Sequence, residues 1–149
     1  MSYYEYRHRV GFEETNVVGN VYFTHYLRWQ GRCREMFLHH HVPELMGDLG
    51  RGLALVTTRV SCSYHRELAP LDEVAIRMSA AALTPSRLTM AFQYVRLLPG
   101  GEEELVAEGE QEVACMRLKG DSREPAALPL ALREAVELYM NSPAETQSR

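Results

Sequence analysis

The stretch FEETNVVGNVYF, residues 12–23, decides the fold of this chain, because the sequence changes character on either side of it. Before it, residues 3–12 combine aromatic and β-branched side chains with charged ones, a composition that predicts a strand. Residues 13–21 are predicted to form a loop. A helical pattern begins where the stretch ends. The stretch therefore joins a first strand to a helix.

Beyond the stretch, apolar and aromatic residues recur at the spacing of one helical face. The residues at intervals of four and three are Tyr22, Tyr26, Trp29, Cys33 and Met36. We predict a helix from about residue 24 to about residue 40. Thr24 is its predicted N-cap, because a threonine hydroxyl can accept a backbone N–H at the start of a helix. Pro43 follows soon after the predicted end.

After a loop that contains three glycines, the chain changes to the period of two that is typical of strands. The alternating runs are residues 54–64, 74–82, 88–94 and 104–118. In the first of them, Thr57 is predicted to share a face with Leu55 and Arg59. Residues 129–140 are predicted to form a short helix, and the polar residues 141–149 a frayed tail.

The order of these elements predicts an α+β fold. Four late strands joined by tight connections must pair antiparallel, and a single helix after the first strand can cover one face of the sheet. We therefore predict a hotdog fold, in which an antiparallel five-stranded sheet is wrapped around a long central helix. The sequence shows neither an internal repeat nor an interdomain linker, so residues 1–149 are predicted to be one domain.

Charge and cysteine content narrow the class of protein. A net charge of -4 and a pI near 5.9 argue against non-specific binding of nucleic acid. The cysteines, Cys33, Cys62 and Cys115, are dispersed and odd in number, which favours reduced thiols over a disulfide framework. The N-terminus has no signal-peptide pattern, and no apolar run approaches the ~20 residues of a membrane span. We therefore expect a soluble, cytoplasmic protein.

The spacing of residues from Phe12 onwards resembles a known signature. The pattern Phe12-x-x-x-Asn16-x-x-Gly19-x-Val21-Tyr22-Phe23-x-x-Tyr26-x-x-Trp29 is similar to that of the 4-hydroxybenzoyl-CoA thioesterase-like hotdog family. The resemblance extends over the whole chain through the order of strands and helix, and it implies an acyl-thioester hydrolase. In that family an aspartate, the nucleophile or general base, stands at the position of Asn16. An amide can neither attack a thioester usefully nor take a proton at neutral pH.

Asn16 points to a smaller group of proteins within this family. A hotdog thioesterase with Asn16, followed by RWQGRCRE at residues 28–35, resembles the thioesterases of enediyne polyketide (antibiotic) biosynthesis. That resemblance implies a polyene β-ketoacyl thioester, bound to an acyl carrier protein domain of a polyketide synthase, as the substrate. Its release would give a β-keto acid, whose decarboxylation yields a methyl ketone. No cofactor and no metal are expected.

The resemblance also has consequences for assembly. Family members usually pair into dimers with active sites at the interface, and often into tetramers, so we expect a homodimer or a homotetramer. An alternating edge strand left bare would invite uncontrolled pairing, which supports this expectation. Because carrier proteins are usually acidic, exposed arginines are candidate docking charges, although surface arginines usually need no such role. The candidates are Arg28, Arg32, Arg51, Arg59 and Arg66.

Three residues are candidate catalytic groups. By the resemblance, the backbone N–H of Phe23 lies at the start of the helix, where it would stabilise the oxyanion with the help of the helix dipole. Asn16 is expected to hold water or the substrate carbonyl, although an asparagine there also suits an Asx-turn before Gly19. Arg34 lies on the same helical side as Phe23 and Leu27. Burial of its charge on that side requires an anionic partner or ligand.

Two residues are candidate substrate-binding groups. The resemblance suggests that the Thr57 hydroxyl orients substrate or water, although threonine is also common in strands for its shape alone. Tyr26 is expected to line the tunnel for the acyl chain, but it also fits the core stripe of the helix. Both residues therefore carry a structural interpretation beside the functional one.

Nearby carboxylates leave alternatives open. Arg34 can be paired with Glu35, Glu13 or Glu14 rather than with substrate. Glu13 or Glu14 could also act as the base of a general acyl-CoA thioesterase, although adjacent loop carboxylates are expected to be solvated and to point apart. A further alternative is a non-catalytic, acyl-binding hotdog protein that has lost its activity together with the aspartate.

The histidines were also considered as functional groups. His39, His40 and His41 end the predicted helix, where consecutive positions face different ways and give poor geometry for metal ligation. They are predicted to lie at the surface or at an interface. A hotdog dehydratase would need a histidine and a carboxylate facing one pocket. No such pair is predicted, and neither His25 nor His65 lies in a recognisable hydratase pattern.

Overall fold

The structure, a computed structural model, describes residues 2–140. A short 3-10 turn, Phe12–Glu14, lies between the first strand and the first helix. The strands and helices are, in chain order, β1 (Tyr4–Arg9), α1 (Thr24–His41), α2 (Leu45–Asp48), β2 (Leu53–Tyr64), β3 (Glu73–Leu83), β4 (Arg87–Leu97), β5 (Glu103–Lys119), β6 (Ser122–Pro125) and α3 (Leu130–Glu137).

The long elements confirm the sequence pattern, and the short ones differ from it. The central helix, the four alternating strands and the C-terminal helix all lie within a few residues of their predicted bounds. β1 ends at Arg9 and not at the predicted residue 12, because Phe12 already belongs to the 3-10 turn. The predicted N-cap is wrong, since Thr24 already lies inside α1 and Phe23, with helical φ and ψ, occupies the cap position. The predicted tail, residues 141–149, lies outside the described residues.

The strands form one antiparallel sheet in the order β1-β3-β4-β5-β2, with β6 paired to β5. The sheet therefore has six strands rather than the five predicted, because the chain after β5 turns back at Gly120 and adds a short strand. The prediction of an α+β hotdog fold is confirmed. β2 is an edge strand, and its second half is largely exposed.

The core lies between the sheet and α1. Trp29, Cys33 and Phe37 are spaced by four residues along the helix and belong to one buried cluster with Ile76 of β3 and Phe92 of β4. Full burial of a large apolar side chain contributes about 1.5–3 kcal/mol to stability. This stripe therefore fixes which face of α1 turns towards the sheet. Within residues 2–140, no helix is both long enough and apolar enough to cross a membrane.

A β-bulge in β2 reverses the alternation of its side chains. Thr57 pairs with Val113 of β5 but Arg59 pairs with Glu112, so Thr58 is an extra residue in the ladder. Because directly opposed residues share a face, Arg59 lies on the face of Glu112, opposite to that of Thr57. The prediction that Thr57 and Arg59 share a face is therefore wrong, and the inserted Thr58 is the physical reason.

Candidate functional site

Asn16 lies in a tight turn of the loop that precedes α1. Its side-chain Oδ1 accepts hydrogen bonds from the backbone N–H of Val18 at 3.0 Å and of Asn20 at 3.4 Å. The backbone N–H of Gly19 donates to the Asn16 carbonyl at 3.0 Å, and Gly19 has a φ of 87°, which favours glycine. Asn16 thus forms the Asx-turn that was its structural interpretation. Its side chain is nevertheless exposed, so its amide nitrogen can still reach a ligand.

Phe23 lies at the start of α1, and its side chain is about half exposed. Its carbonyl oxygen accepts bonds from the Tyr26 N–H and from the Tyr64 hydroxyl, both at 3.2 Å. Within residues 2–140 its own N–H has no hydrogen-bond acceptor. A donor without a partner at the positive end of a helix dipole is suited to an oxyanion.

Arg34 reaches from α1 to two strands of the sheet. One of its terminal nitrogens, Nη1, donates to Gln111 Oε1 of β5 at 2.6 Å and to Thr57 Oγ1 of β2 at 3.3 Å. Gln111 is buried, whereas Thr57 is exposed on the edge strand. The structure therefore brings together two of the predicted site residues, Arg34 and Thr57, and adds Gln111 to them.

The charge of Arg34 has no counter-ion close by. Burial lowers the pKa of Arg34, and the nearby charge of Glu35 only partly opposes this effect. No carboxylate among residues 2–140 comes within 4 Å of the guanidinium: Glu35 pairs with Arg32, and Glu14 pairs with His8. The ion pair that was the alternative for Arg34 is therefore not formed. A desolvated cation held only by neutral groups favours an anionic ligand.

A cleft of about 550 Å³ opens beside Arg34, between α1 and the segment that contains α2. Its apolar wall consists of Met36, Leu38, Met46 and Leu49, and its polar rim includes Arg34 and Glu35. Clefts of roughly 300–1,000 Å³ with an apolar lining and a few polar groups are typical ligand sites. Of the predicted catalytic and substrate-binding residues, Arg34 is the one that lines this cleft.

Tyr26 lies in the core. It is 3% exposed, and its ring packs against those of Trp29, Tyr64 and Tyr94. The Tyr94 hydroxyl donates to the Tyr26 carbonyl at 2.7 Å. Burial raises the pKa of Tyr26 to about 12. This is the arrangement of a core residue, and a role in lining an acyl tunnel stays a prediction.

Glu14 is buried, whereas Glu13 is exposed as predicted. The Glu14 carboxylate accepts hydrogen bonds from His8 Nε2 at 2.7 Å, from the Gly11 N–H at 3.0 Å and from Trp29 Nε1 at 2.9 Å. Burial alone acts to raise the pKa of Glu14, but these three hydrogen bonds outweigh it and hold the pKa below its usual value. The prediction of a solvated loop charge is therefore wrong for Glu14, because the 3-10 turn directs its side chain inwards.

His8 and Glu14 also correct the expectation that no histidine meets a carboxylate in a pocket. The pair lines a second cleft of about 370 Å³. The five residues between them include the end of β1 and the start of the 3-10 turn, which folds Glu14 back towards the strand. The other candidates have different neighbours: His25 contacts Arg28, and His65 pairs with Glu108.

The three histidines at the end of α1 point in different directions, as predicted. His40 Nδ1 lies 2.5 Å from the Tyr4 hydroxyl, and His41 Nε2 lies 3.0 Å from the Tyr139 hydroxyl. His39 is exposed at the rim of the larger cleft. Their ring nitrogens do not converge on one point.

The predicted catalytic groups fall into two sets in one chain. Asn16 and the N–H of Phe23 lie at the N-terminal end of α1, whereas Arg34 and Thr57 lie further along the helix. At about 1.5 Å per residue, the eleven residues from Phe23 to Arg34 span about 16 Å of the helix axis. The two sets therefore do not meet at one carbonyl group within a single chain.

Gln111 was not among the predicted site residues, although the sequence contains a signal for it. Along β5, Gln111 is in phase with the buried residues Val113 and Cys115. A polar residue in phase with an apolar, inward-facing row needs a hydrogen-bond partner, and Arg34 is that partner. His8 and Trp29 were likewise not identified as the partners of Glu14.

Comparisons with known proteins agree with this fold. The family model of the thioesterase-like superfamily matches residues 10–136. The solved structure of the dynemicin thioesterase, described with polyene binding, is 48% identical, with a TM-score of 0.91 over 95% of this chain and 99% of that one. No curated protein matches the chain.

Two more distant structures share the fold. The 1,4-dihydroxy-2-naphthoyl-CoA thioesterase from Synechocystis is 19% identical, with a TM-score of 0.80 over 91% of this chain and 96% of that one. The 4-hydroxybenzoyl-CoA thioesterase from Pseudomonas sp. strain CBS-3 is 18% identical, with a TM-score of 0.75 over 93% and 99% of the two chains. The fold, the family match and the identity to the dynemicin enzyme together lead to one conclusion: this chain is a thioester hydrolase that belongs to the thioesterase-like superfamily.

Proposed function

We propose that the chain releases a polyene β-keto acid from an acyl carrier protein in enediyne polyketide biosynthesis, and that the acid then loses CO₂ to give a methyl ketone. One observation carries the proposal: Arg34 is a desolvated cation that has no carboxylate partner within residues 2–140 and lies beside an apolar cleft. Such a charge favours an anionic or anion-forming ligand. The 48% sequence identity to the dynemicin thioesterase, whose structure is described with polyene binding, supports this choice of substrate.

A β-ketoacyl thioester suits a site without a catalytic carboxylate. Its keto group withdraws electrons from the thioester carbonyl, so water held by the Asn16 amide adds to that carbon more readily. The negative charge on the tetrahedral oxygen is stabilised by the N–H of Phe23. Arg34 binds the β-keto oxygen. The C–S bond then breaks, and the proton lost by the water ends on the thiolate of the carrier.

The larger cleft has the composition required for the acyl chain. Its apolar wall offers contact to a linear polyene, and the guanidinium of Arg34 at its rim would face the β-keto end. The Thr57 hydroxyl, 3.3 Å from Arg34, would orient that guanidinium or the substrate itself. Tyr26 would line the inner part of the tunnel only if the aromatic cluster around it opens.

A complete site would be shared between two copies of the chain. The separation of about 16 Å along α1 prevents Phe23 and Arg34 of one chain from acting on one carbonyl. A partner aligned along the exposed edge strand β2 could bring its own Arg34 to the Asn16 turn. The loop also presents exposed apolar side chains that an interface would cover: Phe12, Val17, Val18, Tyr22 and Phe23. We therefore propose a homodimer, or a homotetramer built from such dimers.

The carrier protein would dock on the basic outer face of α1. Arg28 and Arg32 are exposed one turn apart on this face, in a protein whose net charge is -4. Arg28 has no carboxylate partner among the described residues, whereas Arg32 pairs with Glu35. Arg59 and Arg66 contribute less, because they lie outside α1 and pair with Glu110 and Glu104. Arg51 is exposed near the start of β2 and remains a candidate.

We also propose a cytoplasmic location. All three cysteines are free thiols, and two of them are buried. Reduced thiols of this kind are usual in a reducing compartment. Cells that express the tagged full chain are separated into cytoplasmic and membrane fractions, and each fraction is probed for the tag. Detection in the cytoplasmic fraction is expected.

The function is tested by the mass of the product formed from a β-ketoacyl carrier-protein thioester. The expected products are the β-keto acid and its methyl ketone, formed on the order of 10²–10³ times more slowly by Arg34→Gln. Tight binding without turnover would contradict the proposal and favour an acyl-binding protein. Full activity of Asn16→Ala together with complete loss in Glu14→Gln would instead favour a general acyl-CoA thioesterase with a carboxylate base.

A further inference from the structure

The Glu14 side chain forms hydrogen bonds with three parts of the fold. Its carboxylate accepts a bond from His8 of β1, from the backbone of Gly11 and from Trp29 of α1. It is 6% exposed, and each of its two oxygens has at least one donor. Hydrogen bonds to an ionised carboxylate are stronger than those between neutral groups. A side chain with these contacts holds its own backbone firmly in place.

The backbone of Glu14 lies at the base of the loop that carries the candidate catalytic groups. Its carbonyl accepts the N–H of Tyr22 at 3.1 Å, and the next residue, Thr15, forms an isolated bridge with Val21. These contacts close the loop, so that Asn16 lies inside it and Phe23 at its exit. Any movement of Glu14 is therefore passed to both groups.

We propose that Glu14 is a positioning residue, whose buried carboxylate fixes the loop so that the Asn16 amide and the Phe23 N–H are held where the thioester binds. This inference rests on the proposed function of Asn16 and Phe23. Glu14 itself contacts neither water nor substrate in the reaction. It acts through the geometry of the loop.

Within one chain, the position of Glu14 separates its carboxylate from the Arg34 guanidinium. Trp29, its partner, lies about 140° around the helix from Arg34, since five residues separate them. The carboxylate lines the smaller cleft and the guanidinium lines the larger one; the two clefts adjoin at Arg32 and Glu35. Other titratable or charged groups line the smaller cleft, namely Tyr6 and His8 from β1 and Arg28, Arg32 and Glu35 from α1. The Glu14 side chain is 6% exposed and its carboxylate has three donors within the chain, which hold its pKa below the usual value. We therefore assign this carboxylate to structural contacts and not to the role of a base.

A double-mutant cycle tests the inference. Glu14→Gln is expected to lower kcat on the order of 10²-fold, the effect of misplacing a catalytic group by about 1 Å, and to change KM little. In an Asn16→Ala background the same substitution is expected to lower kcat by a clearly smaller factor, because only the part of its effect that passes through the Phe23 N–H remains. Glu102→Gln, the same chemical change at an exposed turn, serves as the matched control and is expected to behave as wild type.

A second measurement does not depend on activity. The Val18 amide bonds to Asn16 Oδ1, and its hydrogen exchange is expected to rise about tenfold in Glu14→Gln, the equivalent of one charge-assisted hydrogen bond. Trp29 is the single tryptophan of the chain, so its fluorescence also reports the loss of the Glu14 contact. If Glu14→Gln does not fold, the kinetic and hydrogen-exchange measurements are made on Trp29→Phe. That substitution removes one donor to Glu14 and keeps an aromatic ring.

The outcomes separate this inference from the proposed function. An inactive wild-type protein would overturn the function, while unchanged exchange at Val18 would overturn the positioning role. An equal loss of kcat from Glu14→Gln with and without Asn16 would also overturn it, because no part of the effect of Glu14 would then pass through Asn16. Normal kcat in Glu14→Gln, with an active wild type, would overturn the inference and leave the function intact.

Discussion

Arg34→Gln is expected to separate the stability of the protein from its activity. Arg34 joins α1 to β5 and β2, yet its two hydrogen-bond partners there are neutral. The substitution removes a partly buried charge that has no carboxylate close by among the described residues. A glutamine can still donate to Gln111 if its side chain extends towards it. The expected result is a protein that folds normally and turns over poorly.

The size of each effect follows from these contacts. Loss of the charge-assisted bond to Gln111 costs about 1.5–3 kcal/mol of folding free energy. The substitution also removes the desolvation cost of an unpaired cation, and this gain offsets much of the loss. The gain is smaller than for a fully buried charge, because Arg34 is only partly buried. We therefore expect the free energy of unfolding to change by less than about 1 kcal/mol. The barrier to hydrolysis is expected to rise by about 3–4 kcal/mol, or 10²–10³-fold in kcat.

The assay combines urea denaturation with hydrolysis of a β-ketoacyl carrier-protein thioester. Arg7→Gln is the control, because Arg7 is an exposed arginine on β1 that pairs with Glu5. It is expected to leave both measurements near the wild-type values. A loss of about 3 kcal/mol or more in unfolding free energy for Arg34→Gln would mean that Arg34 is a structural cation. Wild-type kcat in the same variant would refute its role in binding the substrate.

Three further predictions concern stability and assembly. Gly109→Ala is expected to lower the unfolding free energy by about 1–3 kcal/mol in urea denaturation, because its Cβ would overlap Gln30 Nε2 and the Ser61 carbonyl. Folding lowers the pKa of Glu14, so its contribution to stability is complete above its usual value of 4.5 and disappears as the pH falls below it. Acid unfolding should therefore be steeper in wild type than in Glu14→Gln, and equal slopes would contradict this. Val18→Asp, which adds a charge to an exposed apolar loop, is expected to weaken the dimer in sedimentation velocity; an unchanged dimer would place the interface elsewhere.

The central helix could be predicted from sequence because its signal is long. Tyr26, Trp29 and Cys33 repeat over several turns, and the buried stripe of α1 follows that repeat. Thr24, in contrast, was predicted as a cap from its type alone. The backbone was already helical at Phe23, a difference of one residue that local preference does not resolve.

The face of β2 could be predicted only as far as its bulge. A period of two places Thr57 correctly, and Thr57 indeed meets Arg34. The extra residue Thr58 then shifts the register by one, which moves every later side chain to the other face. A bulge depends on the pairing between β2 and β5, and neither strand contains that information alone.

The carboxylates near Asn16 show why chemistry is harder to predict than fold. Glu13 and Glu14 are identical in type and adjacent, yet one is exposed and the other is buried with three donors. Two of those donors, His8 and Trp29, lie on different elements. Their meeting depends on how β1 and α1 pack, so sequence spacing could not distinguish the two residues.

The distance of about 16 Å along α1 between Phe23 and Arg34 has a genetic consequence. If each active site takes its Asn16 turn from one chain and its Arg34 from the other, two inactive variants of the protein can form an active dimer together. A mixed dimer of one chain lacking Asn16 and one lacking Arg34 contains one site with both defects and one site with neither. Random pairing of the two proteins would then restore about a quarter of the sites, so two null alleles of one gene would complement.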